Sequence, residues 1–298
     1  MAGQHDIRTP HMTREGGDRL PPAVVRAVSC PVCGESLTQS PTALRCPAGH
    51  SFDIARQGYV NFLGARPRTP LADSTEMATA RSEFLAAGHY AALADNLAAL
   101  VARLVPGGGL VVDAGAGTGY YLAVVLDHLT EAVGLALDSS TAGLRRAARA
   151  HSRAAAIGWD VWQPWPLRTG SAAAILNVFA PRNPDEFHRV LAPEGTLAVV
   201  TPTQDHLAEL RAWVDLLGIQ EDKLDQVDTA LAGRFRLVDR EPLSVELALD
   251  ADDVRRLVQM GPNAHHLDRG DRRARLAALR GGVEVTASFV LSAYRPVH

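Results

Sequence analysis

The sequence predicts an α/β protein: a doubly wound, mostly parallel sheet preceded by a small metal-stapled unit. Three observations predict it. Short apolar runs alternate with amphipathic stretches from about residue 90 to 201, the pattern of repeated strand–helix units. A glycine-rich turn, Gly115-Ala-Gly117-Thr118-Gly119, sits where the first of those runs meets a helical stretch. All three cysteines fall between Cys30 and Cys46.

Size and composition fit. The chain has 298 residues, 47% hydrophobic and 21% charged, enough for a core and for one large domain or a large plus a small one at about 100–200 residues per domain. No apolar run reaches the roughly 20 residues of a membrane helix. The charged N-terminus, with His5, Asp6, Arg8 and Arg14, is neither a secretory signal nor an amphipathic transit peptide, so a cytoplasmic location is expected. The net charge of −3 excludes a uniformly basic coat but not a local basic face.

In chain order, residues 1–22 read as a flexible tail, with Pro10 and the Pro21-Pro22 pair. Residues 23–63 alternate short apolar pieces with Cys, Pro and Gly. Residues 64–72 read as a linker, and 73–298 as the main domain. Asp73 or Ser74 caps a helix to Ala80, and Tyr90–Leu104 carries leucines at helical spacing. Strands follow at Leu110–Ala114, Glu131–Leu137, Ala155–Trp162, Ala172–Phe179 and Thr196–Thr201. Between them come helices at Tyr120–Leu129, Thr141–His151 and Pro184–Val190. The end differs: strands at Phe235–Leu249 and Val283–Tyr294 flank a helix at Ala251–Met260 and predict an antiparallel edge.

Cys30-x2-Cys33, twelve residues, then Cys46-x3-His50 supply four ligands in two knuckles, the donor set of a tetrahedral zinc ion. Four protein ligands leave no open position, so the Zn2+ is structural. The alternative is a redox pair at Cys30 and Cys33 with the other two incidental.

The run Val-Val-Asp113-Ala-Gly115-Ala-Gly117-Thr118-Gly119 allows a tight turn and close approach of a ligand to backbone amides at a helix start. Asp138, ending the next strand, is placed to accept from ribose hydroxyls. The spacing G-x-G-x-G, with Asp113 ahead of it, resembles the first motif of class I S-adenosyl-L-methionine (SAM) methyltransferases. The expected fold is therefore the class I SAM methyltransferase sheet with an N-terminal zinc-binding domain.

Further motifs narrow this. After the knuckles come Gly58-Tyr-Val-Asn61, Asp73-Ser-x-Glu-Met77, Ala80-Arg81 and Gly88-His-Tyr90. Later come Phe179-Ala-Pro181, His206-Leu207 and Val258-Gln-Met260. In this order, over roughly residues 24–295, they resemble the bacterial 23S rRNA guanine-N1-methyltransferases. The resemblance implies methylation of a guanosine in hairpin 35 of 23S rRNA. One branch modifies position 745; the other modifies 748 and includes tylosin-type macrolide resistance enzymes, which the Arg- and Ala-rich composition suits. It also implies a homodimer and SAM contacts from Tyr90, Gly117, Thr118, Asp138, Asp160 and His206. Asn177 stands where the family often has Arg.

Methyl transfer from a sulfonium needs no protein nucleophile, and the sequence names no catalytic base. Guanine N1 lies on the Watson–Crick edge, so the base must be unpaired or flipped. Phe179 or Trp162 is a candidate stacking surface, against a core role for each; Trp159 and Trp165 read as packing. Residues 1–75 hold eight Arg against six acids, and Arg45, Arg56, Arg66 and Arg68 are the candidate RNA contacts. The Arg145–Arg153 and Arg272–Arg275 clusters read more readily as solvated faces. No DNA or membrane partner is expected. Two alternatives remain: a small-molecule methyltransferase of antibiotic biosynthesis, and a zinc-bearing RNA-binding protein on an inactive SAM fold.

Overall fold

The computed structural model describes residues 19–64, 73–214, 222–261, 263–264 and 271–298. The candidate RNA contacts Arg66 and Arg68, and all but Gly64 of the expected linker, lie outside those residues, as do residues 1–18 of the expected tail.

The N-terminal unit opens with α1 (Pro22–Ala27), started by a proline whose missing N–H costs a helix nothing in its first turn. Three short antiparallel strands follow: β1 (Thr38–Gln39), β2 (Ala43–Arg45) and β3 (Ser51–Asp53). β4 (Tyr59–Asn61) leaves this ribbon and pairs in parallel with a strand of the large sheet.

Beyond the linker, α2 (Thr75–Ala86) is capped by Ser74, whose Oγ accepts the Met77 N–H at 3.2 Å. Of the two expected caps, Asp73 instead pairs with Arg81. Then come α3 (Ala91–Leu104), β5 (Gly109–Ala114), α4 (Tyr120–His128), β6 (Ala132–Asp138), α5 (Thr141–Ala150) and β7 (Ala154–Gly158). The second half continues with β8 (Ala172–Val178), α6 (Pro184–Val190), β9 (Leu191–Pro202), α7 (Ala208–Val214) and α8 (Lys223–Leu231). It ends with β10 (Phe235–Leu249), α9 (Ala251–Gln259), α10 (Arg272–Ala278) and β11 (Val283–Pro296). The ribbon strands and α1, α7, α8 and α10 were not anticipated. They are short or flanked by loops, where apolar periodicity has too few turns to register.

The large sheet has the order β10-β11-β9-β8-β5-β6-β7-β4. Strands β9, β8, β5, β6, β7 and β4 run parallel. β11 is antiparallel to both β9 and β10 and sits between them, the expected antiparallel edge. This is the class I SAM methyltransferase architecture, extended by β4 at the far edge. The central strands are buried on both faces: β5 is buried from Leu110 onward and β7 throughout, which explains their unbroken apolar runs. β10 alternates because only one face is covered.

The core has two layers, one on each face of the sheet. One collects Leu93, Leu97, Val111, Leu122, Leu126 and Phe289 from the helices and alternate strand positions. The other runs without a break from Leu20, Val24, Val28, Leu37 and Leu44 of the N-terminal unit into Val112, Leu135, Ile157 and Trp165. Backbone bonds reinforce the join: Ser29 N–H to the Pro166 carbonyl at 2.9 Å and Arg168 N–H to the Ala27 carbonyl at 2.9 Å. The division at 63/73 is therefore one of sequence more than of packing. Leu20, 1% exposed, belongs to this layer and not to a tail. Among the described residues no single helix is long and apolar enough to cross a membrane.

Shared burial makes a prediction. Leu44, fully buried in β2, replaced by alanine should destabilise the whole chain by about 2–5 kcal/mol. Calorimetry should show one transition moving as a unit. A separate early transition, with the main one unmoved, would contradict a common core.

Candidate active site and metal centre

The four predicted metal ligands converge. Cys30 and Cys46 are buried, Cys33 is exposed, and the four donor atoms lie within 4.8 Å of one another. Cys33 Sγ is 3.8 Å from Cys46 Sγ; His50 Nδ1 is 3.2 Å from Cys46 Sγ and 3.6 Å from Cys30 Sγ. A tetrahedral ion with bonds of about 2.3 Å to sulfur has edges of about 3.8 Å, so the donor set and its spacing fit zinc. Each knuckle turns on a glycine in the left-handed region: Gly34 donates its N–H to the Cys30 carbonyl and Gly49 to the Cys46 carbonyl. All four ligands are protein groups, which makes the site structural.

The second site forms at the carboxyl ends of β5, β6 and β8, where an open α/β sheet binds ligands. Gly115, Gly117 and Gly119 all have positive φ, at 78°, 54° and 78°. Each serves a different contact. A Cβ on Gly115 would lie 2.6 Å from the Ala180 Cβ, on the turn after β8. On Gly119 it would lie 2.9 Å from the Ala147 Cα, so that glycine lets α4 and α5 pack. On Gly117 it would meet only the tip of a side chain, Arg81 Nη1 at 2.7 Å. Gly143, in α5, presses on the Gly117 carbonyl, where a Cβ would come within 2.6 Å. Sequence reading missed Gly143; a glycine in the first turn of a capped helix is its only trace.

Two acids frame this turn. Asp138 Oδ2 accepts the Gly117 N–H and Oδ1 the Ser140 N–H, both at 2.7 Å. Burial nevertheless raises its pKa against those bonds. Its remaining lone pairs are free for ribose hydroxyls. Asp113 is 2% exposed. Burial, then the charge of Asp138, pushes its pKa up to about 8. A buried carboxyl poised in this way fits a cationic ligand, and the sulfonium and ammonium of SAM are cations. Thr118 is buried beside it. Asp160 lies two residues past β7, its Oδ1 accepting the Trp162 N–H at 3.1 Å. The neighbouring Trp159 N–H bonds the Asp138 carbonyl, so Asp160 lies in the loop that leaves the sheet beside Asp138.

Tyr90 and His206 meet across Phe289. Tyr90 is buried, its ring 5.3 Å from Phe289 and 6.4 Å from His206, and Phe289 is 4.7 Å from His206. His206 Nδ1 accepts the Ser288 N–H at 3.2 Å, which leaves the ring proton on Nε2. Burial, then the nearby Arg211, lowers its pKa to about 4, so the ring is neutral at ordinary pH. His89, the middle of the Gly-His-Tyr motif, lies instead 2.9 Å from Asp253 and joins the α2–α3 turn to α9.

The aromatic candidates separate. Trp159 and Trp165 are buried, while Trp162 is 58% and Phe179 44% exposed. Phe179 has φ of +53°, a costly conformation for an aromatic residue. Asn177, wholly buried, holds that turn by donating to the carbonyls of Ala180 and Pro181 at 3.4 and 2.9 Å. Its amide nitrogen is thus committed to the backbone, while its buried Oδ1 accepts no bond from the described residues.

The basic candidates separate too. Arg45 is exposed on β2 and Arg56 is exposed before β4. Arg146 and Arg153 are half-buried and bonded to the protein itself: Arg153 donates to the carbonyls of Leu126, Leu129 and Ala132, and Arg146 to the Ala142 carbonyl and the Thr79 hydroxyl. Arg275 pairs with Asp271 and with the Trp213 carbonyl.

A family model for the zinc ribbon described as "RlmA, N-terminal" matches residues 28–68. A 23S rRNA (guanine(748)-N(1))-methyltransferase of Streptomyces fradiae is 48% identical over 92% of this chain and 98% of its own. The chain belongs to the 23S rRNA (guanine-N1)-methyltransferase family. A Micromonospora griseorubida protein named "Putative 23S rRNA (guanine-N(1)-)-methyltransferase" is 49% identical over 93% of this chain and 99% of its own. A Bacillus subtilis protein of the same name, YxjB, is 31% identical over 79% and 86%. Among solved structures, a geranyl diphosphate methyltransferase is similar over 70% of this chain and 78% of its own, at 18% identity and a TM-score of 0.42.

Two predictions follow from the charges and the knuckles. Unfolded, the Asp113 carboxyl ionises near pH 4; folded, it stays protonated to about 8. Stability therefore falls as pH rises through that window, by at most about 1.4 kcal/mol per unit. Asp113→Asn should exceed the wild type in Tm at pH 8, with the advantage shrinking toward pH 4; an advantage independent of pH would contradict the burial argument. Removing zinc with a chelator should lower the Tm of the entire chain, because its ligands anchor one core layer. An unchanged Tm would show that the ribbon holds without metal.

Proposed function

We propose that this methyltransferase modifies N1 of guanosine 748 in hairpin 35 of 23S rRNA and so protects a ribosome from tylosin-type macrolides. The observation that carries the nucleotide is the near full-length similarity to the Streptomyces fradiae enzyme, whose name specifies position 748. Residence in the cytoplasm, beside ribosomes, belongs to the same reading. So does a homodimer whose two zinc ribbons flank the RNA; both rest on the family resemblance.

SAM, when bound, supplies an electrophilic methyl group. The chain's own residues do the rest. Asp138 accepts from the ribose, Gly117 and Thr118 present backbone to the amino-acid end, and Tyr90 and His206 close the other side. Asp160 faces the adenine. In-line transfer depends on holding donor and acceptor near van der Waals distance. His206 contributes an N–H at Nε2, because its other nitrogen already accepts from Ser288. It is thereby a donor toward the guanine edge or the cofactor and not the base that removes the N1 proton. Phe179, exposed on its turn and 5.5 Å from Phe289, offers a face on which an unpaired guanine stacks. Arg45 and Arg56 supply positive charge on the ribbon side.

Primer extension on 23S rRNA treated with protein and SAM tests this, since N1 methylation blocks base pairing. A stop one nucleotide before 748 is expected; a stop appropriate to 745 would remove the resistance reading. Phe179→Ala should lower RNA methylation about 10- to 100-fold, matching loss of one base–aromatic stack, with S-adenosylhomocysteine affinity unchanged. Equal loss of both would return Phe179 to a structural role.

A further inference from the structure

The side chain that touches Gly117 is Arg81, and neither composition nor motif spacing assigned it a task. It projects from the middle of α2. Its guanidinium pairs with the Asp73 carboxylate, and Nη2 donates to the Met260 carbonyl at 2.6 Å. Nη1 faces the position where a Gly117 Cβ would stand, 2.7 Å away. The side chain keeps 27% of its surface exposed, so it is held in place without being sealed off.

The charges around it are unbalanced. Asp113 is buried and Asp138 half-buried at the strand ends, and Asp73 lies against the guanidinium. Arg81 is the cation whose charge acts on both Asp138 and Tyr121. The amino-acid end of SAM carries one ammonium and one carboxylate, next to a sulfonium. Asp113 suits the cations, since Asp138 holds the Gly117 turn and Asp73 the guanidinium. The carboxylate needs a cation of its own, and a carboxylate laid over the Gly117 turn meets a planar guanidinium fork that matches its two oxygens.

We propose that Arg81 is the anchor for the carboxylate of the cofactor's amino-acid moiety, oriented for that task by Asp73 and the Met260 carbonyl. This rests on the reading of the glycine turn as a SAM site. It also gives Gly117 a second purpose: any side chain there displaces the anchor as well as the ligand. Asp73, ending the linker from the zinc ribbon, and Met260, ending α9, then set the anchor's direction from two distant parts of the chain.

The test compares two ligands that differ at the proposed contact. S-adenosylhomocysteine carries the amino-acid carboxylate; 5′-methylthioadenosine keeps the adenosine and sulfur but lacks it. Calorimetry on the full-length zinc-loaded protein reads both. The wild type should bind S-adenosylhomocysteine the more tightly. Arg81→Gln should weaken S-adenosylhomocysteine about 10- to 100-fold, the range for a charge-assisted bond, and leave methylthioadenosine within about threefold, a shift too small for such a bond. Asp73→Asn removes the ion pair but keeps the guanidinium and an acceptor oxygen to orient it, and should weaken S-adenosylhomocysteine less than Arg81→Gln does. Parallel loss of both ligands in Arg81→Gln, or a loss in Asp73→Asn as large, would make Arg81 a structural strut and overturn the proposal. Wild-type protein that bound neither ligand would overturn the SAM reading itself.

Discussion

Two carboxyl groups at adjacent strand ends, one buried and one half-buried, set the terms for the rest of the catalytic half. Asp113 and Asp138 sit on neighbouring strands β5 and β6; Asp113 is sealed from water and Asp138 half-buried, and the charge of Asp138 raises the cost of ionising Asp113. Asp138 recovers part of that cost from two backbone N–H groups, and in doing so it fixes the Gly117 turn. Asp113 has no such return, and its carboxyl is left poised for a cation. The positive-φ glycines, the pressure of Gly143 on the turn, and the guanidinium of Arg81 above it are all arranged around this pair. At Asp113 the buried carboxyl costs stability that an amide would not, while an amide at Asp138 would lose one of its two backbone N–H bonds.

The zinc ribbon is usually pictured as an appendage, but here it completes the sheet's second face. Its leucines and valines meet the strand residues Val112, Leu135 and Ile157, and its exit strand β4 is the sheet's last strand. An unprotected parallel edge beyond β7 is thereby covered. The metal holds together a segment with too little apolar surface to fold alone, and that segment in turn covers apolar surface of the large sheet.

Much of this was legible in the residues. The central strands are unbroken apolar runs, Pro184–Val190 has both a cap and an N-terminal proline, and the Cys/His spacing forces its own geometry. What escaped notice shares one physical character: it depends on contacts between segments far apart in sequence. β4 is three residues long and becomes a strand only because β7 lies beside it. Arg81 and Met260 are 179 positions apart. Asn177 reads as a substituted functional position until its side chain is found holding the Phe179 turn. The exposure of Phe179 and Trp162, against the burial of Trp159 and Trp165, is likewise decided by loops whose paths no periodicity encodes.

The central claim is that a buried, protonated Asp113 awaits a cationic cofactor. Proton release on binding tests it most directly. With its pKa at about 8, Asp113 is about nine-tenths protonated at pH 7. SAM bound beside it should ionise it. Calorimetric titration with SAM at pH 7, in buffers of different ionisation enthalpy, should then report release of about one proton per cofactor. Asp113→Asn should abolish that release. Binding heats that do not depend on the buffer in the wild type would contradict the claim and leave Asp113 without its partner.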